Sequence, residues 1–139
     1  MLFMRETKCS LDNIQEISSK IWLGSLGIAT NARGTVGRLV ILWHPKGLHL
    51  NNFRASRFFI NTDFQVYNSE VRWTLTNVYG PSIIAQKLAF VSLLDKEAHE
   101  MENHLWIVGG DFNMNTSLKE KKGGRRTLEA TNISFKDFI

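Results

Sequence analysis

The run Leu39-Val40-Ile41-Leu42-Trp43 is the feature that most constrains the fold. Five consecutive apolar residues leave no polar face, so a strand built from them is buried on both sides. His44-Pro45-Lys46-Gly47 ends it, because proline has no amide hydrogen to give to a central ladder. A doubly covered strand needs a layer above and a layer below, and the rest of the chain offers both. Residues 57–61 and 64–67 read as short strands. Residues 73–79 alternate apolar with polar and are rich in β-formers, until Gly80-Pro81 stops them. Leu105-Trp106-Ile107-Val108 reads as a second buried strand, and Leu2-Phe3-Met4 as the end of another.

Helical spacing fills the gaps. Ile14, Ile17, Ile21 and Trp22 place one apolar face on residues 11–22, with Asp12 as the predicted cap. Leu88, Val91, Leu94, Ala98 and Met101 do the same for residues 83–102, and Phe135, Phe138 and Ile139 for 127–139. Loops are expected at 31–37, where Gly34 and Gly37 stand, and at 119–126. Strands alternating with helices predict α/β layering in one domain over residues 1–139. The chain opens inside an apolar strand and stops on an apolar group, which predicts a partial domain.

Composition narrows the class. A chain of 139 residues is long enough for one core, and 43% hydrophobic with 22% charged residues argues against disorder. Lys and Arg number 17 against 13 Asp and Glu, and the net charge of +4 suits an anionic partner such as nucleic acid. Cys9 is the single cysteine, so no internal disulfide is possible. No apolar run approaches the roughly 20 residues of a membrane span, and Arg5 and Glu6 come too early for a signal peptide. A soluble intracellular protein is expected, without a membrane partner.

Asp111 is the strongest candidate for chemistry. It follows a strand and two glycines, and in layered α/β folds ligands gather where strands end. A carboxylate there binds a hard cation such as Mg²⁺ through oxygen. Asn113 reaches the same side if the backbone stays extended, and its amide can then meet a phosphate oxygen or orient a water. A plain turn accounts for the same Gly, Asp and Asn. Glu6 also sits just past an apolar strand end and can share a metal with Asp111 if their strands are neighbours. Tyr79 ends its strand beside Gly80-Pro81, where a phenol can hydrogen-bond a phosphate, and Asn77 can support that loop. His44, His49, His99 and His104 have no carboxylate partner in a motif and read as surface or packing residues. Lys119, Lys121, Lys122, Arg125 and Arg126 form a basic run that either contacts nucleic-acid phosphates or is a solvated loop. No P-loop, dinucleotide fingerprint or serine-hydrolase elbow is present, so no small-molecule cofactor is expected.

Five segments in order carry a resemblance: Arg5-Glu6-Thr7-Lys8; Gly34-Thr35-Val36-Gly37 leading into Leu39–Trp43; Asn77-Val78-Tyr79-Gly80-Pro81; Gly109-Gly110-Asp111-Phe112-Asn113; and Gly123-Gly124-Arg125-Arg126. Together they resemble the endonuclease/exonuclease/phosphatase superfamily, most closely the endonuclease domains of plant LINE-type non-LTR retrotransposons. The resemblance implies a four-layer α/β sandwich of two packed sheets flanked by helices. It implies hydrolysis of phosphodiester bonds with Mg²⁺ or Mn²⁺, as nicking of DNA in the nucleus. By motif, Glu6 matches the metal-binding glutamate and Tyr79 the phosphate-contacting tyrosine. Asp111 and Asn113 match the pair that positions the attacking water and steadies the transition state. Arg5 stands where glutamine is common in the family, and Arg38 where glycine is usual. The family's first-strand asparagine and its Ser-Asp-His motif do not occur in these residues. Losing one group that stabilises such a transition state costs roughly 10²–10³ in rate. The sequence therefore predicts a domain fragment with little or no activity. Two alternatives stand beside it, a noncatalytic nucleic-acid binder and a phosphatase branch of the superfamily.

Overall fold

A computed structural model describes residues 1–7, 13–30, 38–117 and 130–139, without the side chains of residues 5–7, 38 and 130. The elements are β1 (Leu2–Thr7), α1 (Ile14–Ile21), β2 (Leu26–Ala29), β3 (Arg38–Trp43), β4 (Leu48–Ala55), β5 (Phe59–Val66), β6 (Arg72–Tyr79), α2 (Ile84–Glu100), β7 (Trp106–Asp111) and α3 (Ala130–Phe138). They form two compact units, one of Met1–Tyr79 with His104–Gly110, the other of Gly80–Asn103 with Asp111–Ile139.

The first unit is a pair of packed sheets. One has the strand order β1-β3-β2 and the other β4-β5-β6-β7. The predicted α/β architecture of two sheets with helices is what the chain adopts. β3 is central in its sheet and runs antiparallel to both neighbours. Its Leu39, Ile41 and Trp43 meet Ile60 and Phe64 of β5 and Leu75 of β6 in the layer between the sheets. Trp43 and Phe64 pack edge to face with ring centres 5.5 Å apart. The other face of β3 is closed as well. A Cβ on Gly27 would stand 2.7 Å from Leu42 and within 3.7 Å of Ile14 and Ser18 of α1. Glycine at 27 thus leaves room for Leu42 under the helix. Val40 and Leu42 have no exposed surface, so the five-residue apolar run is buried on both faces as expected.

Elsewhere the structure departs from simple patterning. Residues 57–61 and 64–67 belong largely to one strand, β5, which turns back to β6 through Asn68 in the left-handed region (φ 56°). β2 and β4 carry no clear apolar period. β4 is an exposed edge strand with a register shift between Leu50 and Asn52. β1 and β7 are also edges rather than buried strands. Leu2 and Phe3 keep more than a third of their surface, and Leu105 and Ile107 more than half. α1 begins at Ile14, and Asn13 precedes it without a side-chain cap; Asp12 lies outside the described residues. Ile21 is half exposed, and the residue α1 buries is Ser18. The inward face of α2 is Phe90, Val91, Leu94 and Glu97, whereas Leu88 is exposed. In the second unit α2 packs on α3, which lies within the predicted 127–139 span. The expected loops at 31–37 and 119–126 lie outside the described residues.

Candidate active site

β6 and β7 are neighbours in one sheet, and each ends on a candidate residue, Tyr79 and Asp111. Glycines set how closely their backbones approach. In the first unit, Gly110 lies at φ +141°, and a Cβ there would stand 2.0 Å from the Val78 carbonyl oxygen. In the second unit, a Cβ on Gly80 would stand 2.0 Å from the Phe112 carbonyl oxygen. No other residue type fits either place without moving backbone. The Gly80 N–H then donates to the Asp111 carbonyl at 2.6 Å.

The turn after β7 completes the arrangement. Asn113 adopts φ +51°, so the chain does not stay extended there. This region is costly for most side chains but tolerated by asparagine. The Asn113 N–H donates to Asp111 Oδ1 at 2.9 Å, and its Nδ2 donates to the Gly80 carbonyl at 2.7 Å. Asp111 and Asn113 are therefore joined, half-buried, and both bonded to Gly80. Between them Phe112 packs on Phe135 of α3, with ring centres 5.0 Å apart, and Phe135 is almost fully buried.

Tyr79 and Glu6 belong to the first unit. Tyr79 is half-buried against the layer between the sheets, and its N–H donates to the Phe58 carbonyl at 2.7 Å. Two residues earlier on the same strand face, Asn77 is fully buried. Its Nδ2 donates across to the Val40 carbonyl of β3 at 3.3 Å, and its Oδ1 has no partner among the described residues. A buried polar atom left so costs about 1–3 kcal/mol. Glu6 lies at a break in the register of β1. Met4 pairs with Val40 and Thr7 with Arg38, so two residues, 5 and 6, stand opposite Leu39 alone. That is the pattern of a β-bulge, which recurs beside active sites. The Glu6 side chain lies outside the description.

Mg²⁺ binds through one or two carboxylates together with waters. Among the described residues no three His, Cys, Asp or Glu gather into a cluster. The described strand ends offer Asp111, an oxygen donor of the kind a hard cation takes, and Glu6 is the second carboxylate of the motif set. His44 packs on Trp22 and its Nδ1 accepts from the Lys46 N–H at 3.2 Å, while His99 donates to the Asp95 carbonyl at 2.7 Å. Each is engaged with residues of its own local segment. Lys119, Lys121, Lys122, Arg125 and Arg126 lie outside the described residues. Among the described residues no helix is long and apolar enough to cross a membrane.

No family model and no curated protein matches the sequence. Solved structures do match. The human Nocturnin catalytic domain with a bound sulfate anion is 17% identical with a TM-score of 0.61, over 81% of this chain and 50% of that one. An endonuclease/exonuclease/phosphatase family protein from Bacteroides thetaiotaomicron is 12% identical with a TM-score of 0.59, over 80% of this chain and 49% of that one. The chain has the endonuclease/exonuclease/phosphatase fold. ANGEL2, a 2′,3′-cyclic phosphatase solved with adenosine-2′,3′-vanadate, shares that fold at 14% identity and a TM-score of 0.57, over 81% of this chain and 39% of that one. The chain thus spans about half of these structures or less. Within this fold, the Gly80 contacts and the Phe112–Phe135 pair are the features that patterning did not reveal. Their only trace in the sequence is the placing of glycines beside Tyr79 and Asp111.

Proposed function

We propose that the chain is a single partial domain of a metal-dependent phosphodiesterase acting on DNA, related to plant LINE-type retrotransposon endonucleases and working in the nucleus. The observation that carries the reading is the capture of Gly80 by the Asp111–Asn113 turn, in a fold shared with proteins solved with sulfate and with a nucleoside vanadate. In this reading Glu6 would hold Mg²⁺ or Mn²⁺, and the bound ion would offset the negative charge of the phosphate. The Asp111 carboxylate takes the proton of the attacking water. Asn113 fixes that carboxylate through its N–H and faces the developing charge with its amide. The Tyr79 phenol donates to a phosphate oxygen. Lys119, Lys121, Lys122, Arg125 and Arg126 bind backbone phosphates.

With the first-strand asparagine and the Ser-Asp-His groups absent from these residues, cleavage of unactivated DNA is slow. A good leaving group reduces the demand for a general acid. The 139-residue chain is expected to hydrolyse bis(p-nitrophenyl) phosphate with Mg²⁺ and to leave supercoiled plasmid at background. Asp111→Ala abolishes the ester hydrolysis. A wild-type rate equal to that of Asp111→Ala sinks the reading. A second reading, a phosphatase branch, draws on the likeness to ANGEL2; it predicts a nucleoside 2′,3′-cyclic phosphate as the better substrate.

A further inference from the structure

The layer between the two sheets is apolar where β3, β5 and β6 meet, apart from Thr62, whose hydroxyl donates to the Leu75 carbonyl at 3.2 Å, and Asn77. Asn77 pairs with Ile60 in the ladder and shares its face with Leu75 and Tyr79. It has no exposed surface. Its amide spans the layer to the Val40 carbonyl at 3.3 Å, and the oxygen of the same amide is buried without a partner among the described residues. Leucine has the same branched heavy-atom shape and would bury no polar group there. Retaining asparagine leaves an orphan acceptor in the core, in return for a bond from β6 to the opposite sheet. That bond is one step along the strand face from Tyr79. Beyond Val78 the paired register of β5 and β6 stops, and the Tyr79 N–H donates to the Phe58 carbonyl at 2.7 Å.

We infer that Asn77 is a positioning residue for Tyr79: it braces the end of β6 against β3 and so fixes where the phenol stands. The inference rests on the phosphate-contacting role proposed for Tyr79. Asn77 itself touches no substrate.

The chain has two tyrosines, Tyr67 and Tyr79, and Tyr67 is more than half exposed on a turn, so ring-labelled tyrosine gives one probe and one internal reference. In Asn77→Leu the thermal midpoint is expected to stay level or rise, because the orphan oxygen goes. The Tyr79 ring signals shift and broaden while those of Tyr67 hold. The turnover of the nitrophenyl ester falls about tenfold with KM little changed. A merely structural asparagine would move stability and leave the Tyr79 ring in place. A folded variant whose Tyr79 signals match wild type overturns the inference, whatever its melting point. Should Asn77→Leu fail to fold, Asn77→Ser, too short to reach Val40, carries the same ring comparison. If the wild type hydrolyses no ester, the proposed function fails, while the ring comparison still decides the role of Asn77.

Discussion

The side-chain amide of Asn113 donates to the main-chain carbonyl of Gly80 at 2.7 Å, while the Gly80 N–H is already given to Asp111. Both polar groups of one glycine are thus held by a three-residue turn 31–33 positions away in the chain. The Phe112 carbonyl fills the space that a Gly80 side chain would need, so the bonds and the missing Cβ are one arrangement.

Gly80→Ala and Gly110→Ala are therefore expected to destabilise the chain. Overpacking against backbone costs about 1–3 kcal/mol. At Gly110 the φ of +141° adds about 1–3 kcal/mol of strain. Gly47→Ala is the control: its Cβ would meet nothing nearer than the His44 carbonyl at 3.9 Å, and the change should stay within about 0.5 kcal/mol. Denaturant midpoints at constant slope measure all three. Equal midpoints for Gly80→Ala and Gly47→Ala would show that the Gly80–Phe112 approach is looser than described.

Asn113 combines a backbone role with a side-chain role, and two substitutions separate them. Asn113→Gly keeps the left-handed turn at φ +51° and removes the amide, at a cost of about 0.5–1.5 kcal/mol. Asn113→Ala removes the amide but keeps a Cβ in that region without the local bonds that let asparagine tolerate it, so it should lie about 1–2 kcal/mol below the Gly variant. The order wild type, Gly, Ala in midpoint is expected. Hydrogen exchange at the Gly80 N–H should rise most in the Ala variant, and an Ala variant as stable as Gly would exclude the left-handed geometry.

How legible this was depends on which force acts at each residue. The strand Leu39–Trp43 could be read because burial on both faces leaves a run of apolar side chains. β4 could not, because an exposed edge has no need for alternation, as His49, Asn51 and Asn52 show. β6 misleads in the opposite sense. Its alternation suggests one wet face, yet Thr74 and Thr76 are buried. The Thr76 hydroxyl donates to Asn61 at 2.7 Å and accepts from the Trp106 indole at 2.8 Å, and that of Thr74 donates to Asp63 at 2.8 Å. Polar residues that satisfy one another look, in sequence, like polar residues that meet water. Asp111 and Asn113 were legible as chemistry, but their bonding to Gly80 joins positions that no local pattern connects.

The ring of Phe135 is the support beneath that turn. It lies 5.0 Å from Phe112 and 6.2 Å from Phe138, and is 4% exposed. Phe135→Ala should cost about 3–5 kcal/mol through the cavity it leaves. Phe135→Leu keeps most of the volume and should cost less. Both should speed exchange at the Gly80 and Asn113 amides before the β3–β5 layer opens. Uniform loss of protection across both units would mean that Phe135 supports the whole fold rather than the turn.

The basic run is tested by salt. Each phosphate neutralised on duplex DNA contributes about −0.9 to the slope of log K against log salt. If Lys121, Lys122, Arg125 and Arg126 each engage one phosphate, replacing all four with Ser flattens the slope by about 3.6. Affinity at low salt then falls steeply, and falls equally for unrelated sequences, since phosphate contacts carry no base information. Substituting Lys20, Lys46, Arg72 and Lys87 instead is the matched control, removing four charges remote in sequence from the run. A slope that drops as much in that control assigns the effect to overall charge. A slope unchanged in the quadruple variant makes residues 119–126 a solvated loop and removes them from the binding surface.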